Sequence, residues 1–333
     1  MFPLHSFRCG FLPTWSEILN EIQSQAKQNP LVLDQTRRKY LRELSNHIKS
    51  PVILYATRWM DTPVMSQADI QLVWADKQAF MEAIHGVNEK QLALILHSPG
   101  GQIEAVKAIV EYLREKFDKI TVIVPDAAMS AATLLALSSD TLIMGRHSNL
   151  GPIDPQFILP IPPIGQVSIS AQSLIEEFER AKEEVKSDQR NLLVWAPKIQ
   201  QYPPGILEEA RNAIDLTKEL GKEWLVKYML KDYADAREKA ENIVRYLGDH
   251  KKLKSHSTPI TREKLRELGL KIVDLESDQR LQDLVLSVYH ATRITFQLTT
   301  AHKIVENSNG RSFIRIVNPP QQPLQNPPAS KPP

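Results

Sequence analysis

The chain has 333 residues, 42% of them hydrophobic, which is enough for one large α/β domain with additions or for two domains. Its net charge of +2 is too balanced to indicate binding to nucleic acid or to an anionic membrane. A single cysteine, Cys9, excludes an internal disulfide framework and a cluster of thiolate metal ligands. No stretch approaches the roughly 20 apolar residues that span a bilayer, and no signal-peptide pattern is present. We therefore expect a cytoplasmic protein without a membrane span.

The first part of the chain combines helical and extended patterns. Residues 14–50 carry apolar side chains at helical spacing, and the apolar run over residues 51–56 predicts the first strand of a sheet. A further helix is predicted to begin at Ser66, with Asp69 at the capping-box position and Trp74 on its apolar side.

Strands and helices then alternate at the spacing of βαβ units. The predicted elements are a strand over 91–96, a helix over 104–117, a strand over 120–125, a helix that starts at Ser130 and a strand over 140–144. Such an order predicts a largely parallel sheet.

The rest of the chain is mostly helical. In order, the patterns predict a proline-rich loop or extended segment over 151–167, a charged helix over 171–188, helices over 190–247, a helix–glycine–strand unit over 259–275, periodic helices up to 293 and a short strand over 312–317. Beyond that strand the chain is rich in Pro, Gln and Asn, which predicts disorder.

Two segments could bring catalytic groups together at the carboxyl ends of the strands, where ligands of parallel sheets gather. The Gly100-Gly101 turn exposes backbone N–H groups, and so does the helix start at Ser130. A hydroxyl with two N–H donors suits acyl transfer, in which a nucleophile needs an oxyanion hole. The alternative is that Ser130 only caps its helix.

Three motifs resemble the Clp/crotonase-fold serine proteases: His-Ser-Pro-Gly-Gly at 97–101, Ala-Met-Ser-Ala-Ala at 128–132 and Leu-Gly-Pro-Ile-Asp-Pro-Gln at 150–156. The sequence is most similar to the serine dehydrogenase proteinase family, which is related to signal peptide peptidase A. This resemblance implies an α/β fold with a Clp/crotonase-like βαβ superhelix core and helical C-terminal additions.

The sequence patterns and the resemblance together divide the chain into four segments. We expect an N-terminal helical segment over 1–50, the Clp/crotonase-like core over 51–170, a helical and α/β part over 171–317 that completes the fold and assembly, and a disordered Pro-rich tail over 318–333.

By the same resemblance, Ser130 is the nucleophile, and the N–H groups of Gly101 and Ala131 form the oxyanion hole. The residues expected to line the substrate strand are Ser98, Pro99, Gly100 and Gly101.

The base is left open by the sequence. The histidine that Clp protease subunits carry after the serine is missing, and signal peptide peptidase A relatives use a lysine instead. Lys182 follows Ser130 at a spacing similar to that of the serine and lysine in the bacterial peptidase, and Lys198 lies among apolar residues. Either could serve only if burial lowered its pKa, and Lys182 could simply belong to a charged helix face. His256 is a candidate for the rim of the site, and Asp154 is expected to anchor its loop.

The predicted function is therefore a serine peptidase with a Ser–Lys type site, acting on peptides or unfolded protein segments without cofactor or metal. A homo-oligomer is expected, and a separate unfoldase is a possible partner because no ATP-binding loop is present. The alternatives are a crotonase-like acyl-CoA enzyme and a non-catalytic scaffold with the same fold.

Overall fold

The computed structural model describes residues 14–61, 66–161, 163 and 165–317. The tail predicted to be disordered and the first part of the predicted N-terminal segment lie outside the described residues. In the described part, no helix is both long enough and apolar enough to cross a membrane.

The described part begins with α1 (Trp15–Ala26), α2 (Val32–Ile48) and β1 (Val52–Thr57), as the periodicity predicts. The single helix predicted from Ser66 is wrong. It is replaced by the short helices α3 (Gln67–Ile70) and α4 (Asp76–Ile84), and Trp74 between them is 57% exposed. The break occurs because the backbone of Leu72 pairs with the Gly100-Gly101 turn instead of continuing the helix.

The central βαβ pattern is confirmed. Its elements are β2 (Gln91–His97), α5 (Ile103–Lys116), β3 (Lys119–Val124), β4 (Ala127–Ala128), α6 (Ala131–Leu137), β5 (Thr141–Met144) and β6 (Asn149–Leu150).

The proline-rich segment contains a hairpin that the sequence did not specify. The elements that follow β6 are β7 (Gln156–Ile161), β8 (Gly165–Ser170), α7 (Ala171–Ser187), α8 (Leu192–Ile199), α9 (Ile206–Trp224), α10 (Ala236–Leu247) and α11 (His250–Leu253). A π-helical turn, Leu225–Met229, extends α9.

The chain ends its described part with β9 (Ile260–Thr261), α12 (Arg262–Glu267), β10 (Ile272–Asp274), α13 (Gln279–Leu298), β11 (Ala301–Asn307) and β12 (Ser312–Ile316). No sequence pattern indicates β11, because this fully buried strand carries polar and charged side chains such as Lys303 and Glu306.

Seven of the described strands form one sheet in the order β10-β5-β3-β2-β1-β11-β12. The neighbours from β10 to β1 are parallel, whereas β11 pairs antiparallel with both β1 and β12. Successive side chains of β2 enter opposite cores: Leu94 and Leu96 pack towards α4, α5, α6 and α10, whereas Ala93 and Ile95 pack towards α2 and α13. The largely parallel, doubly covered sheet agrees with the predicted α/β class.

A second, three-stranded sheet has the order β4-β6-β9. Strand β4 pairs parallel with β6, and β6 pairs antiparallel with β9. This small sheet joins β4 to the nearby strand β6 and, through it, to β9, which lies much further along the sequence.

Candidate active site

Main-chain hydrogen bonds hold the loop after β2 against the loop before α6. The N–H of Ser98 donates to the carbonyl oxygen of Ala127 at 3.2 Å, and the carbonyl oxygen of Ser98 accepts from the N–H of Met129 at 2.9 Å. The two segments that the sequence singled out for chemistry therefore lie side by side.

Gly100 packs directly on Ser130. Its φ of +96° favours glycine, and a Cβ at this position would lie 2.7 Å from the Cβ of Ser130 and 2.9 Å from the amide nitrogen of Ala131. Any side chain would push the turn away from the serine. The structure therefore brings the diglycine turn, Ser130 and the Ala131 amide together.

Leu72 fixes the other side of the turn. Its N–H donates to the carbonyl oxygen of Gly100 at 2.8 Å, and its carbonyl oxygen accepts from the N–H of Gln102 at 2.9 Å. This parallel bridge uses the carbonyl group before Gly101 and the N–H group after it. The N–H of Gly101 itself therefore points away from Leu72. Neither this N–H nor that of Ala131 donates a hydrogen bond to another described residue.

Ser130 has a backbone conformation that is rare for a residue with a side chain. It precedes α6 with φ of 52° and ψ of −124°, and its side chain makes no capping hydrogen bond. The alternative that Ser130 serves as a side-chain cap is therefore wrong. Strained backbone of this kind persists where the surroundings hold it, and it is frequent at catalytic residues.

A cleft of about 830 Å³ opens over this point. Ser130, Gly101 and Ala131 line it, together with mainly apolar side chains, among them Met60, Ile70, Leu134, Ile153 and Phe157. Of the expected substrate-strand residues, Pro99 and Gly101 line the cleft. Ser98 is fully buried behind it, where its hydroxyl oxygen accepts from the N–H of Gly100 at 3.2 Å.

Three titratable side chains occur among the described residues that line this cleft: Glu104, Asp126 and His256. Asp126 accepts a hydrogen bond from the hydroxyl of Tyr289, and Glu104 is exposed in the first turn of α5. The described lining contains no lysine or arginine. No group of three or more His, Cys, Asp and Glu in the described residues is arranged to hold a metal ion.

His256 forms a pair with Asp154 that sequence reasoning missed. The Nδ1 atom of His256 lies 2.8 Å from Oδ1 of Asp154, whose side chain is only 4% exposed. The other carboxylate oxygen accepts from Nε2 of Gln156 at 2.7 Å. These partners are 102 residues apart, so no local pattern could have revealed the pair.

The two predicted lysines lie elsewhere. The side chain of Lys182 on α7 is 61% exposed, with its Nζ 3.5 Å from Glu179, and that of Lys198 on α8 is 50% exposed and forms an ion pair with Glu177. Neither lysine lines the cleft. The structure does not bring these ammonium groups to Ser130 within one chain, and the Ser–Lys site stays a prediction.

His97 lies beneath the diglycine turn. It is fully buried between Trp59 and Tyr289, with ring centroids 5.5 and 5.0 Å away, and neither ring nitrogen has a hydrogen-bond partner in the described part of the chain. Burial lowers the pKa of His97 to about 4, so its ring is neutral at pH 7. His97 therefore acts as packing rather than as a charge.

The sequence profile of the ClpP-like SDH-type serine proteinases matches residues 18–294, which is most of the chain. The chain belongs to this family. That membership confirms the family expected from the motifs and the predicted Clp-like α/β fold, and it makes the protein a member of a serine proteinase family.

Two archaeal proteins and one solved structure are similar to this chain. An uncharacterized protein of Methanocaldococcus jannaschii is 32% identical over 257 residues, which cover 75% of this chain and 76% of that protein. A second uncharacterized protein of the same organism is 35% identical over 59% of this chain and 57% of its own length. Among solved structures, a mutant of the 1510-N membrane-bound stomatin-specific protease aligns with a TM-score of 0.36 and 14% identity, over 61% of this chain and 74% of that one.

Proposed function

We propose that this member of the ClpP-like SDH-type family is an active serine peptidase in which Ser130 is the nucleophile and the N–H groups of Gly101 and Ala131 form the oxyanion hole. The contact of Gly100 with both Ser130 and the Ala131 amide supports the proposal, because it means that the diglycine turn lies against the start of α6. Family membership supports the same chemistry.

The amide donors supply the main stabilisation. When the Ser130 hydroxyl adds to a carbonyl carbon, negative charge develops on the carbonyl oxygen, and donors already fixed in place need no reorganisation. Gly101 is fixed through Leu72 and Gln102, and Ala131 is fixed as the first residue of α6. Loss of one such donor typically lowers the rate by about 100- to 1000-fold.

The proposed substrates are peptides or unfolded protein segments. The cleft is large enough for several side chains, and its apolar walls with few charged groups suit unfolded polypeptide. A cytoplasmic location, a homo-oligomer and a separate unfoldase belong to this proposal as further expectations.

The described lining also bears on the acyl-CoA alternative. An acyl-CoA enzyme needs cationic groups for the nucleotide phosphates, and no lysine or arginine lines the described cleft. The reactivity of Ser130 distinguishes a peptidase from the scaffold alternative, because a scaffold has no need of an activated serine.

An alkyl fluorophosphonate tests the proposal, because it phosphonylates activated serines. We expect the full chain to form one adduct, located at Ser130 by peptide mass spectrometry, and to cleave casein. Ser130→Ala should lose both properties while keeping the oligomeric state of the parent. Absence of an adduct and of cleavage in the unmodified protein would favour the scaffold.

A further inference from the structure

We propose that the apolar cleft over Ser130 binds residues 1–13 of the same chain, and that this segment limits access to the serine. The inference rests on the proposed function, because access matters only if Ser130 reacts. It adds an occupant of the cleft that belongs to the protein itself and competes with substrate.

The described chain begins beside one wall of the cleft. Trp15, the first residue of α1, packs edge-on against His290 with ring centroids 5.9 Å apart, and the guanidinium of Arg293 lies 5.9 Å from the centre of the Trp15 ring. Arg293 also forms an ion pair with Asp61 at 2.7 Å, and the neighbouring Met60 lines the cleft. Arg293 therefore bridges the start of α1 and the cleft wall.

A second set of contacts links the same arginine to the cleft. The guanidinium of Arg293 donates to the hydroxyl oxygen of Tyr289 at 3.4 Å, and this hydroxyl donates to Asp126, which lines the cleft. The chain that precedes α1 is thus attached close to the cleft.

Residues 1–13 are long enough to cross the cleft. An extended chain spans about 3.3 Å per residue, so a segment of this length reaches about 40 Å. A tethered segment also has an effective concentration in the millimolar range at a site within its reach. Even a complex with a Kd of about 0.1 mM would therefore fill the cleft about nine-tenths of the time.

The composition of residues 1–13 complements the cleft lining. Phe2, Leu4, Phe7, Phe11 and Leu12 are large and apolar. The segment also contains one arginine and neither Asp nor Glu. The described lining is mainly apolar, and it includes Glu104 and Asp126 but no lysine or arginine. Burial of apolar surface and opposite charge therefore both favour binding of this segment.

The other end of the sequence lacks these properties. Residues 318–333 are rich in Pro, Gln and Asn, with Leu324 as their one large apolar residue. They follow β12, an edge strand of the seven-stranded sheet that contributes no residue to the described cleft lining. Residues 318–333 therefore provide a matched control for residues 1–13.

The rate of phosphonylation of Ser130 by the fluorophosphonate measures access to the cleft. If the segment fills the cleft about nine-tenths of the time, deletion of residues 1–13 should raise the rate about 10-fold. Deletion of residues 318–333 should leave the rate unchanged. A peptide of residues 1–13 should slow the shortened chain again, whereas a peptide of residues 318–333 should not.

Substitutions within the full chain separate shielding from a change in folding. Phe7→Asp combined with Phe11→Asp replaces two apolar side chains by negative charges, and it should raise the rate as the deletion does. The matched pair Phe7→Leu and Phe11→Leu keeps the apolar character and should react like the parent.

Cys9, the single cysteine of the sequence, allows the position of the segment to be measured directly. A benzophenone maleimide attached to Cys9 of the Ser130→Ala variant should, on irradiation, form cross-links to cleft residues such as Met60 or Phe157. A mixture of isotope-labelled and unlabelled chains shows whether a cross-link joins one chain or two. Cross-links only outside the cleft lining, or only between two chains, would overturn the inference.

The outcomes for the inference and for the proposed function differ. If Ser130 is labelled at the same rate with and without residues 1–13, the inference is overturned while the nucleophile stands. If Ser130 is labelled in neither chain, the proposed function fails, and the cross-links from Cys9 alone decide whether the segment occupies the cleft.

Discussion

The backbone N–H of Leu72 donates to the carbonyl oxygen of Gly100 at 2.8 Å, so the turn that lies on Ser130 is held by a segment from well before β2. The same segment passes close to the backbone of Gly101, where a Cβ would lie 2.2 Å from the carbonyl oxygen of Leu72. The proposed oxyanion donor is thus positioned from both sides, by Leu72 and by the first residues of α6.

Gly101→Ala should therefore displace the Gly101 amide and slow phosphonylation of Ser130 by about 100-fold or more, the typical effect of losing one oxyanion donor. Gly86→Ala is a close control, since Gly86 also has a positive φ of +78°, but a Cβ there would meet no atom within 4 Å. It should lose about 1–2 kcal/mol of stability from backbone strain and keep its reactivity. Equal labelling rates in the two variants would contradict the assignment of Gly101.

The buried ion pair between Lys303 and Asp76 should support this same segment. Both side chains are fully buried with Nζ 2.7 Å from Oδ2, while Nζ also donates to the carbonyl oxygen of Gln71 and Oδ2 accepts from the N–H of Val73. Lys303→Met leaves a buried carboxylate without its cation, and we expect it to lower the free energy of unfolding in urea by about 3–5 kcal/mol.

Adding Asp76→Asn to Lys303→Met should recover part of this loss, because no uncompensated charge then remains. The exposed pair of Arg311 and Glu82 gives the comparison, and Arg311→Met should cost at most about 1 kcal/mol. A double variant less stable than Lys303→Met would show that burial of the charge is not the cause.

The strained backbone at Ser130 should lower the stability of the protein, although the serine is needed for activity. Ser130→Gly and Ser130→Ala both lack the hydroxyl and should be inactive, but glycine tolerates φ of 52° and ψ of −124° far better. We expect the glycine variant to be more stable by about 1–3 kcal/mol in urea unfolding. Equal stabilities would mean that the conformation is not strained.

Buried histidines predict loss of stability in mild acid. Burial lowers the pKa of both His97 and His290 from 6.5 to about 4. Between these values the unfolded chain binds more protons than the folded one, so the free energy of unfolding decreases as the pH falls from about 6.5 to about 4.

His97→Asn should flatten this pH dependence, since His97 alone contributes up to about 3 kcal/mol from its pKa shift. Urea unfolding at several pH values measures the slope. Identical slopes in the parent and the variant would exclude His97 as a source of acid sensitivity.

Sequence alone could predict the parts of this molecule that depend on local pattern. The apolar run of β2 and the β-branched run of β3 specify the parallel strands, and a diglycine turn and a serine placed just beyond their ends indicate where chemistry could occur. Glycine at position 100 is informative because the close approach to Ser130 excludes any side chain.

The remaining features depend on contacts between distant segments. The helical periodicity around Leu72 does not indicate that its backbone pairs with Gly101. The charged residues of β11 are not typical of a buried strand, and they are buried here because each is paired with an opposite charge. His256 and Asp154 meet only through the β4-β6-β9 sheet. Conversely, the spacing of Lys182 suggested a base, but its helix presents it to solvent beside Glu179.

The most direct measurement is a crystal structure of the protein after reaction with the fluorophosphonate. We expect a covalent bond from phosphorus to the Ser130 oxygen, with the phosphonyl oxygen within hydrogen-bonding distance of the amide nitrogens of both Gly101 and Ala131. A phosphonyl oxygen that contacts neither amide, or an adduct at another residue, would contradict it.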